Sequence, residues 1–269
     1  MLFLVKFNSA GTRLWGTYFG GTGGGSGDAA QTVTTDVSGN VYISGSTNST
    51  AGIATIGAYQ ATYGGGPNDG FIAQFSSAGA LQWATYYGGT GDDYGYCMTT
   101  DPTGNVFVTG PTSSPTGMAT PGAYQTTNGG SYDAFVVKFN TLGVIQWGTY
   151  FGGSASDQGQ GIVTDSYGNV YISGSTGSTS GIATPGAYQT LYGGAYDGFL
   201  AQFSSTGSIG WATYFGGSNA DDAFRVTTDA SNNLYLSGYT ASTSAIATSG
   251  AYQPTYGGGG EDAFFSRVY

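Results

Sequence analysis

The chain has 269 residues, of which 51 are Gly, 7% are charged and 15% are aromatic, with a net charge of −10 and no His. One Glu, two Lys, three Arg and nine Leu exclude a largely helical protein, glycine off a three-residue period excludes collagen, and the aromatic content excludes disorder. The acidic balance argues against nucleic acid and anionic membranes as partners, no apolar run is long enough for a membrane helix, and a lone Cys97 excludes an intramolecular disulfide and a Cys/His metal site.

In chain order, Met1–Lys6 is too short an apolar run for a signal peptide, so the export signal is expected outside this chain. Leu2–Phe7 and Leu14–Phe19 read as strands. The glycine-rich stretch Gly20–Gly27 follows, without the Lys-Ser/Thr ending of a phosphate loop. It reads as a connection. A unit of four short strands then recurs, clearest around its third Gly-Asn turn. There Gln160–Asp165 is one strand, Val170–Ser173 the second, Phe199–Phe203 the third and Ile209–Phe215 the fourth, with a long Ser/Thr/Gly loop between the second and third. Phe264–Tyr269 is a last strand. Apolar residues occupy both faces of most strands, as in sheets covered on both sides.

The recurrence is regular. Trp15, Trp83, Trp147 and Trp211 are spaced by 68, 64 and 64 residues, and Gly-Ala-Tyr-Gln begins at Gly57, Gly122, Gly186 and Gly250. A two-unit period lies above it. Lys6 and Lys138 stand in Phe-x-Val-Lys-Phe, where the alternate units have Gln74 and Gln202 in Phe-x-Ala-Gln-Phe. The fold predicted is all-β: a β-propeller of four roughly 64-residue, four-stranded blades with one surplus terminal strand. It is read as a single domain over 1–269, with units at about 1–69, 70–133, 134–197 and 198–262 and an extra strand at 263–269.

The motifs Asp-x-x-Gly-Asn-Val-Tyr-Ile-Ser-Gly, Asp-Ala-Phe-Val-Val-Lys-Phe and Gln-Trp-Gly-Thr-Tyr-Phe-Gly-Gly resemble the bacterial SBBP-type β-propeller repeat. The resemblance implies a propeller from a bacterial surface or secreted protein, Bacteroidetes-like in Gly-Ile-Ala-Thr-Pro-Gly-Ala-Tyr-Gln, and it implies no activity. Labelled A to D outward from the axis, the strands number seventeen, where a closed four-bladed ring needs sixteen. Three arrangements stay open. The last A, B and C strands can take the N-terminal D strand into one blade, leaving Met1–Asn8 as a remnant. A spare C strand can pair with a neighbouring subunit. Or the chain is a piece of a longer propeller.

Twelve of the fifteen acids recur in series; turn capping is favoured for Asp36, Asp101, Asp165 and Asp229 and for Asp69, Asp133, Asp197 and Asp262, while the series Asp28, Asp93, Asp157 and Asp221 stays open. The adjacent pairs Asp92, Asp93 and Asp221, Asp222 are the candidates for Ca2+; no other cofactor is expected. Without His there is no Ser/His/Asp or Cys/His arrangement. The loop tyrosines Tyr59, Tyr124, Tyr188 and Tyr252 are candidate sugar platforms, and Asn48 carries the single glycosylation sequon. The expected role is a non-catalytic, extracellular or cell-surface structural or adhesive module, associating with itself into filaments by terminal strand exchange. Leu2, Phe3, Val5, Phe7, Phe264, Phe265 and Val268 lie on the assembly strands. A carbohydrate-binding propeller is the alternative, and a glycoside hydrolase the third.

Overall fold

A computed structural model describes residues 1–23, 25 and 27–268, which contain seventeen strands and no helix. The strands form five antiparallel sheets in chain order. The first is a hairpin, β1 (Leu2–Phe7) and β2 (Arg13–Phe19). Three four-stranded meanders follow. The second sheet holds β3 (Asp28–Thr35), β4 (Val41–Thr47), β5 (Asp69–Phe75) and β6 (Leu81–Tyr87). The third holds β7 (Cys97–Thr100), β8 (Val106–Thr112), β9 (Asp133–Phe139) and β10 (Ile145–Phe151). The fourth holds β11 (Asp157–Thr164), β12 (Val170–Thr176), β13 (Asp197–Phe203) and β14 (Ile209–Phe215). The fifth has three strands, β15 (Asp221–Thr228), β16 (Leu234–Thr240) and β17 (Asp262–Val268).

The core lies between sheets. Successive residues of a strand point to opposite faces, so Val41 and Ile43 pack toward the first sheet with Leu2 and Phe19, while Tyr42 packs toward the third with Val108 and Phe139. This explains why apolar residues fill both strand faces. In all four outer hairpins one residue is bulged just before the tryptophan, namely Leu14, Gln82, Gln146 and Gly210.

Two devices recur where one sheet meets the next. Along the inner strands, the Thr100, Thr164 and Thr228 hydroxyls donate to the carbonyls of Thr35, Thr100 and Thr164 at 3.0, 3.1 and 3.5 Å. At the outer rim, the indole N–H groups of Trp15, Trp83 and Trp147 donate to the carbonyls of Ser77, Thr141 and Ser205 at 3.0–3.1 Å. Each indole lies flat on a turn glycine. A Cβ on Gly79, Gly143 or Gly207 would sit 2.7–2.8 Å from indole Cδ2.

The two-unit period has a physical cause in these sheets. In the second and fourth, Gln74 and Gln202 donate to the hydroxyls of Tyr42 and Tyr171, which donate to Asp36 and Asp165. In the third, Phe107 replaces the tyrosine, and Lys138 lies 5.0 Å from its ring centroid and 3.8 Å from the Asp101 carboxylate. The partners change together.

The first arrangement expected above, with the N-terminal D strand taken into the last sheet, is not the one formed. Strand β2 pairs with β1 over six positions and β17 with β16 over seven. Residues 1–8 therefore carry a paired strand, and among the described residues no pairing joins β2 to β17.

The turn glycines give a direct comparison. Gly143 has φ +75° and an indole against it, whereas Gly11 has φ +78° with nothing within 4 Å. Gly11→Ala is expected to cost only the left-handed backbone, about 1 kcal/mol. Gly143→Ala must also move Trp83, for a total of roughly 3 kcal/mol. Urea unfolding of the two variants measures the difference; equal costs would show that the indole seat is slack.

Candidate functional site

The recurring carboxylates are occupied by the fold. Asp36 Oδ1 accepts the Ser38 and Asn40 amides, both at 2.9 Å, and Oδ2 accepts Asn40 Nδ2 at 2.8 Å, closing the turn at Gly39. Asp101, Asp165 and Asp229 repeat this arrangement. Asp93, Asp157 and Asp221 each accept a Thr hydroxyl, a Ser hydroxyl and a Gly amide. Asp69 and Asp133 are fully buried with one oxygen, Oδ1, lacking a partner. Burial pushes their pKa values up to about 7 and about 6, with Asp93 and Asp157 adding charge repulsion.

The calcium candidates do not form ligand sets. Neighbouring strand residues face opposite ways. Asp221 turns to Thr240 and Ser242, whereas Asp222 turns to Gln160 and Tyr239. Asp92 likewise accepts Asn68, Tyr94 and Tyr132, apart from the donors of Asp93. Among the described residues no three acidic, Cys or His side chains converge to hold a metal.

The Gly-Ala-Tyr-Gln loops are straps over the outer strands. The Gln60 amide donates to Thr85 Oγ1 at 2.9 Å, its carbonyl accepts Tyr86 N at 3.2 Å, and its side-chain oxygen accepts Gly88 N at 3.0 Å. Thr55 N adds a bond to the Ala84 carbonyl at 2.9 Å. Gln125 and Gln189 hold β10 and β14 in the same way. The neighbouring tyrosines differ among themselves. Tyr59 and Tyr124 set their rings edge-on against Phe139 and Phe203 of the following sheet. Tyr188 is 74% exposed and Tyr252 wholly so. Asn48 is half-buried and accepts the Gly27 amide at 3.0 Å. Cys97 is half-buried on β7, against the core between the third and fourth sheets.

Among the described residues these devices stand unfilled at the first and fifth sheets. The strap of the fifth sheet, with Thr248 and Gln253, spans a groove of about 890 Å3 lined by Tyr188, Leu236, Tyr252 and Phe264. In the other straps an outer strand fills that place. Among the described residues the Gln253 side chain donates only within its own loop, to the Thr255 carbonyl. Trp211 is half-buried against Tyr171, and its indole N–H has no partner among the described residues. At the opposite end, the β1–β2 turn has the Gly11 conformation but no indole on it. Among the described residues no strap crosses β2, and Phe3 and Phe7 are 72% and 58% exposed.

Comparison with known families fits this layout. Residues 82–115, 146–181 and 210–244 match the model of the SBBP β-propeller repeat. Three segments of the chain are SBBP β-propeller repeats. Each matched SBBP segment begins in an outer strand with its tryptophan and ends beyond the second strand of the next sheet. It therefore spans the junction between two sheets. No curated protein matches the sequence. A crystal structure of a protein of unknown function from Bacteroides caccae is similar over 80% of this chain and 78% of that one, at 13% identity and a TM-score of 0.24. A likeness so remote carries no argument.

Trp211, Gly11 and Thr228 were not among the residues marked by sequence as functional. Their signal lay in the alignment of the repeats, where each has three counterparts with a partner.

Proposed function

We propose that this SBBP-repeat chain is a non-catalytic structural module that joins end to end with further copies of itself, outside a bacterial cell. One observation carries the reading: among the described residues the fifth sheet has an open groove and an unseated Trp211, and the first hairpin presents the turn and outer strand that fill those places in the other sheets. An unlike pair of this kind makes a head-to-tail contact, which propagates into a filament unless the rotation closes it. The occupied carboxylates support a role without catalysis. The scarcity of charge and the Ser/Thr-rich loops, such as 46–50 and 111–116, support an extracellular setting.

Multi-angle light scattering across a concentration series, with electron microscopy of the same samples, is the test. Oligomers that lengthen with concentration are expected. A monomer at every concentration would remove the reading.

A further inference from the structure

Resting on that reading, we infer the joint itself: the β1–β2 hairpin of a second copy takes the third and fourth strand positions of the fifth sheet, displacing β17 from the edge of β16. The shared sheet then runs β15, β16, β1, β2, with two strands from each molecule.

The joints already present set the pattern. In each, an outer-strand indole sits on the glycine of the next sheet's outer turn and donates to a carbonyl in that turn. Trp211 is the indole without such a turn, and Asn8–Gly11 is the turn without such an indole. Placing the hairpin beside β16 brings the Ser9 carbonyl and Gly11 to Trp211. It also brings Phe7 under Tyr188, as Phe139 lies under Tyr59 and Phe203 under Tyr124.

Three further matches follow from that placement. Strand β2 fills the groove beneath the 241–261 strap. There Gly16, Thr17, Tyr18 and Gly20 stand where Ala84, Thr85, Tyr86 and Gly88 bond Thr55 and Gln60. The second sheet of the incoming copy then follows the shared one. Its Thr35 hydroxyl meets the Thr228 carbonyl, and among the described residues neither group makes the inner-strand bond that its counterparts make.

Strand β1 ends in Phe7, as β5, β9 and β13 end in Phe, whereas β17 ends in Val268; Lys6 takes the place that Arg267 holds opposite Tyr235. Adding only β2 beside β17 would complete the strap but leave Trp211 and Tyr188 unfilled. Main-chain pairing supplies affinity in such strand addition, and the alternate side-chain seats supply register.

The test uses the full chain with Phe7→Asp or Tyr188→Asp, each placing a carboxylate on one side of the Phe7–Tyr188 contact. Both side chains are exposed in the single molecule, and circular dichroism checks that each variant is folded. Each variant alone is expected to associate at least tenfold more weakly than the wild type. A 1:1 mixture is expected to form dimers and nothing longer, because it contains one intact pair of ends. Hydrogen exchange gives a second readout: residues 262–268 should lose protection on assembly while 234–240 keep theirs.

If the wild type assembles and both variants assemble equally well, the joint lies elsewhere; the self-association reading stands and this inference falls. Retained protection of 262–268 in the assembled form also overturns it. A wild type that stays monomeric removes both.

Discussion

Lowering the pH from 8 to 5 is expected to raise the thermal midpoint by on the order of 10 °C, in contrast to the usual loss of stability in acid. A carboxyl with a higher pKa folded than unfolded holds its proton more tightly in the folded chain. Stability then grows as the pH falls from the folded value toward about 4, and no further. Asp69 and Asp133, at about 7 and about 6, place the gain between pH 8 and 4. Burial also raises Asp93, Asp197 and Asp222.

The Asp222 pair shows how a proton is accommodated. Gln160 Nε2 donates to Asp222 Oδ2 at 3.0 Å, while Asp222 Oδ1 and Gln160 Oε1 lack partners. A proton on Oδ1 turns that oxygen into a donor, although Arg225 beside the group favours the charged form. Below about pH 4 the trend reverses. Burial acts to raise Asp28 and Asp101, but hydrogen bonds from Thr47 and Ser49, and from Asn105 and Thr103, outweigh it and hold both low. Their contribution is lost as the pH falls through those lowered values.

Asp69→Asn should stabilise the chain at pH 8 by a few kcal/mol, at roughly 1.4 kcal/mol per pKa unit, and should flatten the pH dependence. Calorimetry at several pH values decides the matter. A midpoint that is flat or falling from pH 8 to 5 would show that the paired carboxylates are not protonated in the folded chain.

Trp147→Ala is expected to cost about 3–5 kcal/mol, the range for truncating a buried large aromatic residue. The indole is 8% exposed, contacts Phe107 and Phe203, and donates to the Ser205 carbonyl at 3.0 Å. Trp211→Ala removes the same residue from the same repeat position, yet it should cost only about 1 kcal/mol in the single molecule. Its ring meets Tyr171, and among the described residues it has neither the glycine seat nor the carbonyl. Unfolding in urea at a concentration where the chain is monomeric measures the contrast. Equal costs would mean that the seat contributes little and that the outer rim is held by strand pairing.

The repeat spacing made the strands, their order and the capping role of Asp36 and its counterparts legible, because each depends on residues close together in sequence. Recurrence also marked the Tyr-Gln loops, but not their work. Gln60 bonds a strand 25–28 residues later, and only the meander brings that edge to it. The calcium reading of Asp221 and Asp222 ignored the alternation of side chains along a strand, which separates neighbours. The seventeen strands were legible, while their grouping stayed open among three arrangements: which edge a strand joins depends on placement in space. The empty seat of Trp211 is a relation between residue 211 and residues 9–11, and it becomes visible only once the sheets are set in order.

The coupled Lys138–Phe107 and Gln74–Tyr42 choices bear on how such a gene can be rearranged. A crossover between the second and third strands of a sheet would set a lysine beside a tyrosine, or a glutamine against a phenyl ring, and break both partnerships at once. A crossover in the glycine-rich links ahead of Asp93, Asp157 or Asp221 moves each partnership whole. Lys6 and Lys138 also reach forward to the Ser77 and Ser205 carbonyls, whereas Gln74 and Gln202 bond back to tyrosines of their own sheets. Gain or loss of two units at a time preserves every such contact, so lineages of this chain should change length in steps of about 128 residues, twice the 64-residue spacing.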